Sequence, residues 1–308
     1  VEERGQGTVE WIGLVAVLAL SLSVLVAVGA RVPGAALARG LASRMLCAVA
    51  MADRCGDEPG LIAAYGTEVG KLVGRHMPTI LFEPGSRAMP VDFRRCRETS
   101  CADGVARGIV HESDAGLPVS AFVHVIDCRL GKVEESEAAG ANCSGSRAGH
   151  LYIQYWLYYP DSATLRGVPL AGEAGYHHDD WESVQLRVGP DGSADERASS
   201  HHGYNYFQSF ANAGSDAGID PLKDAAEAVG ARPHNGWGPE THLLVVSGGS
   251  HAGNTNDFPY LGRVAPGSWT HLVPLEPIAA DEGSSYSFAI SPPWGKRVWR
   301  DPEATGTD

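Results

Sequence analysis

Twenty consecutive residues without a charge, Trp11 to Ala30 (WIGLVAVLALSLSVLVAVGA), constrain this chain more than any other feature. At about 1.5 Å rise per residue they make a helix of roughly 30 Å, the thickness of a bilayer core. Glu10 stands just before the run and Arg31 just after it. A cleaved secretory signal carries a shorter apolar stretch behind a basic one, whereas the preceding VEERGQGTVE is net acidic. The reading is a retained, single-pass transmembrane helix over 11–30 that holds the protein at a cell membrane.

Six cysteines follow the apolar run: Cys47, Cys55, Cys96, Cys101, Cys128 and Cys143. No CxxC occurs among them, and no Cys/His spacing matches a structural zinc site. An even number in three sequence-local pairs reads as three disulfides, with Cys47–Cys55, Cys96–Cys101 and Cys128–Cys143 favoured among fifteen connectivities. Six buried free thiols are the alternative. Disulfides need an oxidising compartment, which puts the main domain outside the cytoplasm. Arg31, Arg39 and Arg44 weakly favour the reverse orientation, and the cysteines, together with a resemblance of the flanking segment given below, outweigh them.

Residues 31–76 read as a helical stalk. ALARGLASRMLCAVAMADRC is rich in helix formers, GDEPG at 56–60 breaks the run, and Leu61, Ala64, Tyr65, Val69, Leu72 and Val73 then recur at helical spacing. From Pro78 the texture changes. TILFEPG, PVDFRRC, SAFVHVIDC, LYIQYWLYYP, WESVQLRVGPDG, HLLVVSGG and YSFAI are short β-branched or aromatic runs between Gly, Pro, Asp and Ser. They predict a mainly β fold: a β-sandwich outer domain over 77–303, with the transmembrane helix and short helical stalk before it. A helical patch is expected at 219–231, a solvated acidic loop at 134–141, and a frayed tail from Asp301, with 304–308 beyond the domain. The formal charge of −13 with no basic patch argues against a nucleic-acid partner.

The densest polar cluster is GYHHDDWESVQLRV at 175–188. On a strand, Asp180, Glu182, Val184, Leu186 and Val188 share one face. That face is apolar further along, so it points to the core. Two carboxylates at its head are costly unless paired, hydrogen-bonded or metal-bound. With His177 just upstream they make a ligand set suited to a divalent cation, Ca²⁺ or Mg²⁺. His251, on the Gly-rich turn after HLLVV, and His202, in SSHHGYNY, are candidate pocket residues. Trp181 reads as core. His76, His111, His124, His150, His234, His242 and His271 read as structural.

Two stretches carry family resemblances. GQGTVEW before the apolar run resembles the processing site of type IV pilin-like proteins of the tight-adherence kind. The resemblance implies cleavage after Gly5, with Glu10 at the fifth position of the trimmed chain and pilin-like assembly partners. HHDDWE fits an H-x-x-D-W-E pattern shared by the vacuolar protein sorting-associated protein 62 family and the necrosis-inducing (necrosis- and ethylene-inducing peptide-like) toxins. YIQYWLYYPDS at 152–162 is similar to the Tyr/Trp-rich strand that both place upstream. THLLVVSGGSHAG at 241–253 and SPPWGKRVWRDPE at 291–303 resemble later stretches of the first family. In the toxins the matching residues line a cation site. The resemblance implies Asp161, His177, Asp180 and Glu182 as ligands here, although the toxins read G-H-R-H-D-W-E where this chain has Gly175, Tyr176 and His177.

The sequence contains no G-x-S-x-G elbow, P-loop or HExxH, which leans away from an enzyme. The resulting expectation is a membrane-anchored extracytoplasmic protein whose β-sandwich carries a divalent-cation site for recognition of a glycan or lipid headgroup. A minor pilin-like subunit of a tight-adherence pilus or secretion machine, and a metal-dependent cell-surface hydrolase, are the alternatives.

Overall fold

The computed structural model describes residues 59–83, 88–104, 108–162, 176–199, 204, 236–248, 250–255, 263–278 and 288–305. The apolar run at 11–30, Gly5, Glu10, Cys47, Cys55, His202 and the helical patch at 219–231 lie outside them. Among the described residues no helix is long and apolar enough to cross a membrane.

Helix α1 (Pro59–His76) buries Leu61, Val69 and Val73 on one side. Proline suits its first turn, where the missing N–H has no partner to lose. Gly66 breaks the helical conformation at φ 77° and ψ 164°, so two helical pieces meet there; a side chain would strain that backbone. The Tyr65 hydroxyl donates to the Val123 carbonyl at 2.7 Å, and the Tyr155 hydroxyl donates to that of Val73 at 2.7 Å. The last part of the expected 31–76 stalk is thus packed onto the β fold, within the unit that spans Gly56–Asp308.

Two mixed sheets follow. The elements in chain order are β1 (Thr79–Phe82), α2 (Thr99–Ala102), β2 (Gly108–Ile109), β3 (Ser120–Asp127), α3 (Val133–Ala138), β4 (Leu151–Ser162), β5 (His177–Val188), β6 (Ala194–Ala198), β7 (Gly238–Pro239), β8 (Leu243–Val246), β9 (Gly253–Asn254), β10 (Arg263–Ala265) and β11 (His271–Pro274). One sheet has the order β2-β10-β1-β8-β9, the other β11-β3-β4-β5-β6-β7. The pairs β1/β8, β2/β10 and β3/β11 are parallel, and the rest are antiparallel. The fold is mainly β, as the run pattern predicts.

Strand β4 is buried along its whole length, because both of its faces are covered. Tyr155, Leu157 and Tyr159 join Val184 and Leu186 of β5 in one core with Ile80, Phe82, Leu244 and Val246 of the other sheet. On the opposite face Gln154 Nε2 donates to the Val298 carbonyl at 2.8 Å, and the Tyr152 hydroxyl donates to Glu303 at 2.8 Å. That face lies under the C-terminal segment, where the Trp299 ring stacks on His124 at 3.5 Å. Gly253 lets β9 close on β6: a Cβ there would sit 3.1 Å from that of Ala198.

Four expectations are corrected. PVDFRRC forms a turn instead of a strand, because the Asp92 carboxylate takes the Arg94 N–H at 2.9 Å and the Asp92 carbonyl takes that of Arg95 at 2.9 Å. The acidic loop at 134–141 begins as the exposed helix α3. Phe288 to Ile290 of YSFAI form no strand; Phe288 packs against Trp181 and Trp294 instead. The segment from Asp301 to Thr305 is docked, not frayed, with Ala304 buried and the Tyr204 N–H donating to the Thr305 carbonyl at 2.8 Å. Both expected disulfides within the described residues are present, Cys96–Cys101 and Cys128–Cys143.

Candidate functional site

The β4–β5 ladder is regular from Leu151/Val188 to Tyr159/Asp180, lapses, and resumes at Asp161/His178. The lapse has a local cause. Pro160 has no N–H to give, and Asp179 opposite it sits at φ 62° in the left-handed region. The turned Asp179 side chain collects four donors. Arg97 gives Nε at 3.0 Å and a terminal nitrogen at 2.7 Å, Tyr158 its hydroxyl at 2.7 Å, and Ala289 its N–H at 2.8 Å. Burial pushes the Asp179 carboxyl up, but the Arg97, Ala289 and Tyr158 hydrogen bonds outweigh it and hold the pKa below the usual range. Asp179 is thus a satisfied anchor that ties residues 97 and 289 to the head of β5. Trp181 lies two residues on, in an aromatic cluster with Phe93, Phe122 and Tyr158, which agrees with its reading as core.

Asp180 and Glu182 point the other way, toward the core shared with the first sheet. His251, on the turn between β8 and β9, reaches across from that sheet and donates from Nδ1 to Asp180 Oδ2 at 2.8 Å. A carboxylate only accepts, so in the neutral ring this bond leaves Nε2 unprotonated. The ring stacks on Tyr159 at 3.9 Å and 4°, and its backbone is left-handed at φ 53°. Ser199 donates its hydroxyl to Glu182. Burial first, and the neighbouring Asp180 charge second, push the Glu182 carboxyl well above the usual carboxylate range; Ser199 and the Lys296 charge only partly offset this. The buried Tyr159 hydroxyl has no hydrogen-bond partner among the described residues. Its own pKa is driven up by burial and then by the Asp180 and Glu182 charges, so it lies in their field.

The remaining expected ligands are less gathered. Asp161 is buried at the end of β4, within 3.3 Å of the Thr99 hydroxyl, and the Tyr176 hydroxyl bonds to it. His177 is paired in register with Ser162, its Nδ1 lying 3.3 Å from the His178 carbonyl oxygen. The four residues do not form a group whose ligand atoms all lie within 4.8 Å of one another. Among the described residues that spacing is met by His76, Glu240 and His242. His76 and His242 read as lone, structural histidines in the sequence; 164 residues separate His76 from Glu240. The only local signal was E-x-H at 240–242.

No protein-family model matches the chain, and no curated protein does. Among solved structures it is similar to NLPPya, a necrosis-inducing-like protein, in complex with mannosamine: 17% identity over 74% of this chain and 85% of that one, TM-score 0.34. NLPPya in complex with glucosamine aligns at 16% identity over the same shares, TM-score 0.33. A mutant NLPPya aligns at 11% identity over 68% of this chain and 73% of that one, TM-score 0.33.

Proposed function

We propose that this is an extracytoplasmic recognition domain whose surface ligand, a glycan or lipid headgroup, is bound through a divalent cation held by Asp180 and Glu182. The observation that carries this reading is the charge balance at the head of β5. Asp180 is buried and Glu182 half-buried, and desolvation with the Asp180 charge pushes the Glu182 carboxyl up against the partial offset of Ser199 and Lys296. A Ca²⁺ or Mg²⁺ ion would supply positive charge there, and both take carboxylate and other oxygen ligands. The donor set fits such an ion: two carboxylates, with the Tyr159 hydroxyl, which has no hydrogen-bond partner among the described residues, in their field. His251 would hold Asp180 in place, with Asp161 and His177 at the rim toward the ligand. The disulfides support an oxidising compartment, and the apolar run at 11–30 would supply the membrane anchor.

Calorimetric titration of the full-length protein with Ca²⁺ and Mg²⁺ tests the reading. The parent should bind one equivalent of one of them, and Asp180→Asn with Glu182→Gln should weaken binding at least tenfold. Unchanged affinity in the double variant would sink the ligand assignment. Mannosamine and glucosamine, the sugars of the NLPPya complexes, are the first ligand probes, with and without chelator.

A further inference from the structure

A second cluster lies far from the first. Leu186, which pairs with Glu196 of β6, is six residues along β5 from Asp180, about 20 Å at about 3.4 Å per residue. Here the end of α1 meets the segment between β7 and β8. His76 Nδ1 lies 2.8 Å from Glu240 Oε1 and 3.0 Å from Oε2. His242 Nδ1 lies 3.0 Å from the same Oε1. The two imidazoles therefore converge on one carboxylate, with their rings 6.2 Å apart and inclined by 20°.

We infer that His76, Glu240 and His242 form a binding site for a first-row transition dication, zinc foremost, with a fourth position open to solvent. Two imidazole nitrogens and one carboxylate oxygen are an established donor type for zinc, at bonds of about 2.0–2.1 Å. Tetrahedral ligands on such bonds stand roughly 3.3 Å apart. The observed separations of 2.8 and 3.0 Å open to that value with small side-chain rotations. To bind the metal each neutral ring presents Nδ1 as its lone-pair nitrogen and carries its single hydrogen on Nε2, so the metal takes the place of the N–H groups that Glu240 now accepts. Burial is graded as an open site requires: the His76 and Glu240 side chains are 11% and 9% exposed, and that of His242 is 60% exposed.

An independent observation points the same way. Glu196 is fully buried beside the site and spends Oε1 on the Thr241 N–H and hydroxyl. Among the described residues its buried Oε2 has no side-chain hydrogen-bond partner. Two carboxylates thus stand together where Glu240's ion-pair partners are the two imidazoles. Among the described residues His242 is also one of three non-glycine residues with left-handed φ, at 59°; His251 of the first site is another.

Co²⁺ titration of the full-length, chelator-stripped protein tests this, read by visible absorption. One equivalent should give the d–d bands of a four-coordinate N/O site, and Zn²⁺ should displace it. His242→Ala, at a side chain 60% exposed, should weaken Co²⁺ binding at least tenfold. Asp180→Asn should leave it within twofold. Zn²⁺ should also raise the parent's Tm by several degrees and leave that of His242→Ala unmoved, because ligand binding to the native state stabilises it. No Co²⁺ spectrum in the parent, or an unchanged affinity in a folded His242→Ala variant, would overturn the assignment. Loss of the spectrum in Asp180→Asn instead would place the metal at the first site.

Discussion

Glu196 gives the sharpest residue-scale prediction. Burial, opposed by the Thr241 hydrogen bonds and reinforced by the Glu240 charge, raises its pKa from 4.5 to about 7. A carboxyl with a raised folded pKa carries no penalty while protonated in both states. It costs stability as pH climbs from its unfolded value through its folded one. In chelator-treated protein, stability should therefore fall between about pH 4.5 and pH 7, by about 3 kcal/mol on a shift of this size. Urea unfolding across that range should show the slope, and Glu196→Gln should flatten it. An unchanged slope in the variant would assign it to another group. Residue-scale features were the least legible in the sequence. HHDDWE marked Asp180 and Glu182 through strand alternation, but nothing local marked Asp179 as left-handed opposite Pro160. Nor could spacing show that His251 would cross from the other sheet to Asp180, 71 residues away.

At the scale of elements, the runs TILF, SAFVHVID, LYIQYWLYYP and LLVV became β1, β3, β4 and β8 because their burial needs are met by sheet pairing. PVDFRR has similar residues but turns, since Asp92 offers its own oxygens to the following N–H groups. Composition cannot rank that local competition against a ladder. The Cys128–Cys143 bridge closes a 15-residue separation around helix α3, which has no buried residue of its own. Loop-closure entropy gives such a bridge about 3 kcal/mol. Replacing both cysteines by serine should lower unfolding stability by about that amount in denaturant titrations while leaving Ca²⁺ binding intact. Loss of cation binding would mean that the bridge also shapes the site.

For the whole molecule, the two sheets, helix α1 and the C-terminal segment leave polar clusters at opposite ends of β5. The first has Asp180 bonded to His251 from the facing sheet and Glu182 bonded to Ser199, with the Lys296 charge acting on Glu182. The second joins the end of α1 to the second sheet through histidines and Glu240. Each gathers its residues from at least two distant stretches of chain, so the fold, more than any motif, makes the site. The central claim is that a divalent cation binds between the Asp180 and Glu182 carboxylates. The most direct test is a crystal of the protein soaked in Mn²⁺ and measured for anomalous scattering. A peak within about 2.0–2.6 Å of oxygens from both residues is expected. An intact Asp180–His251 hydrogen bond with no peak beside Glu182, at a Mn²⁺ concentration that fills other sites, would contradict it.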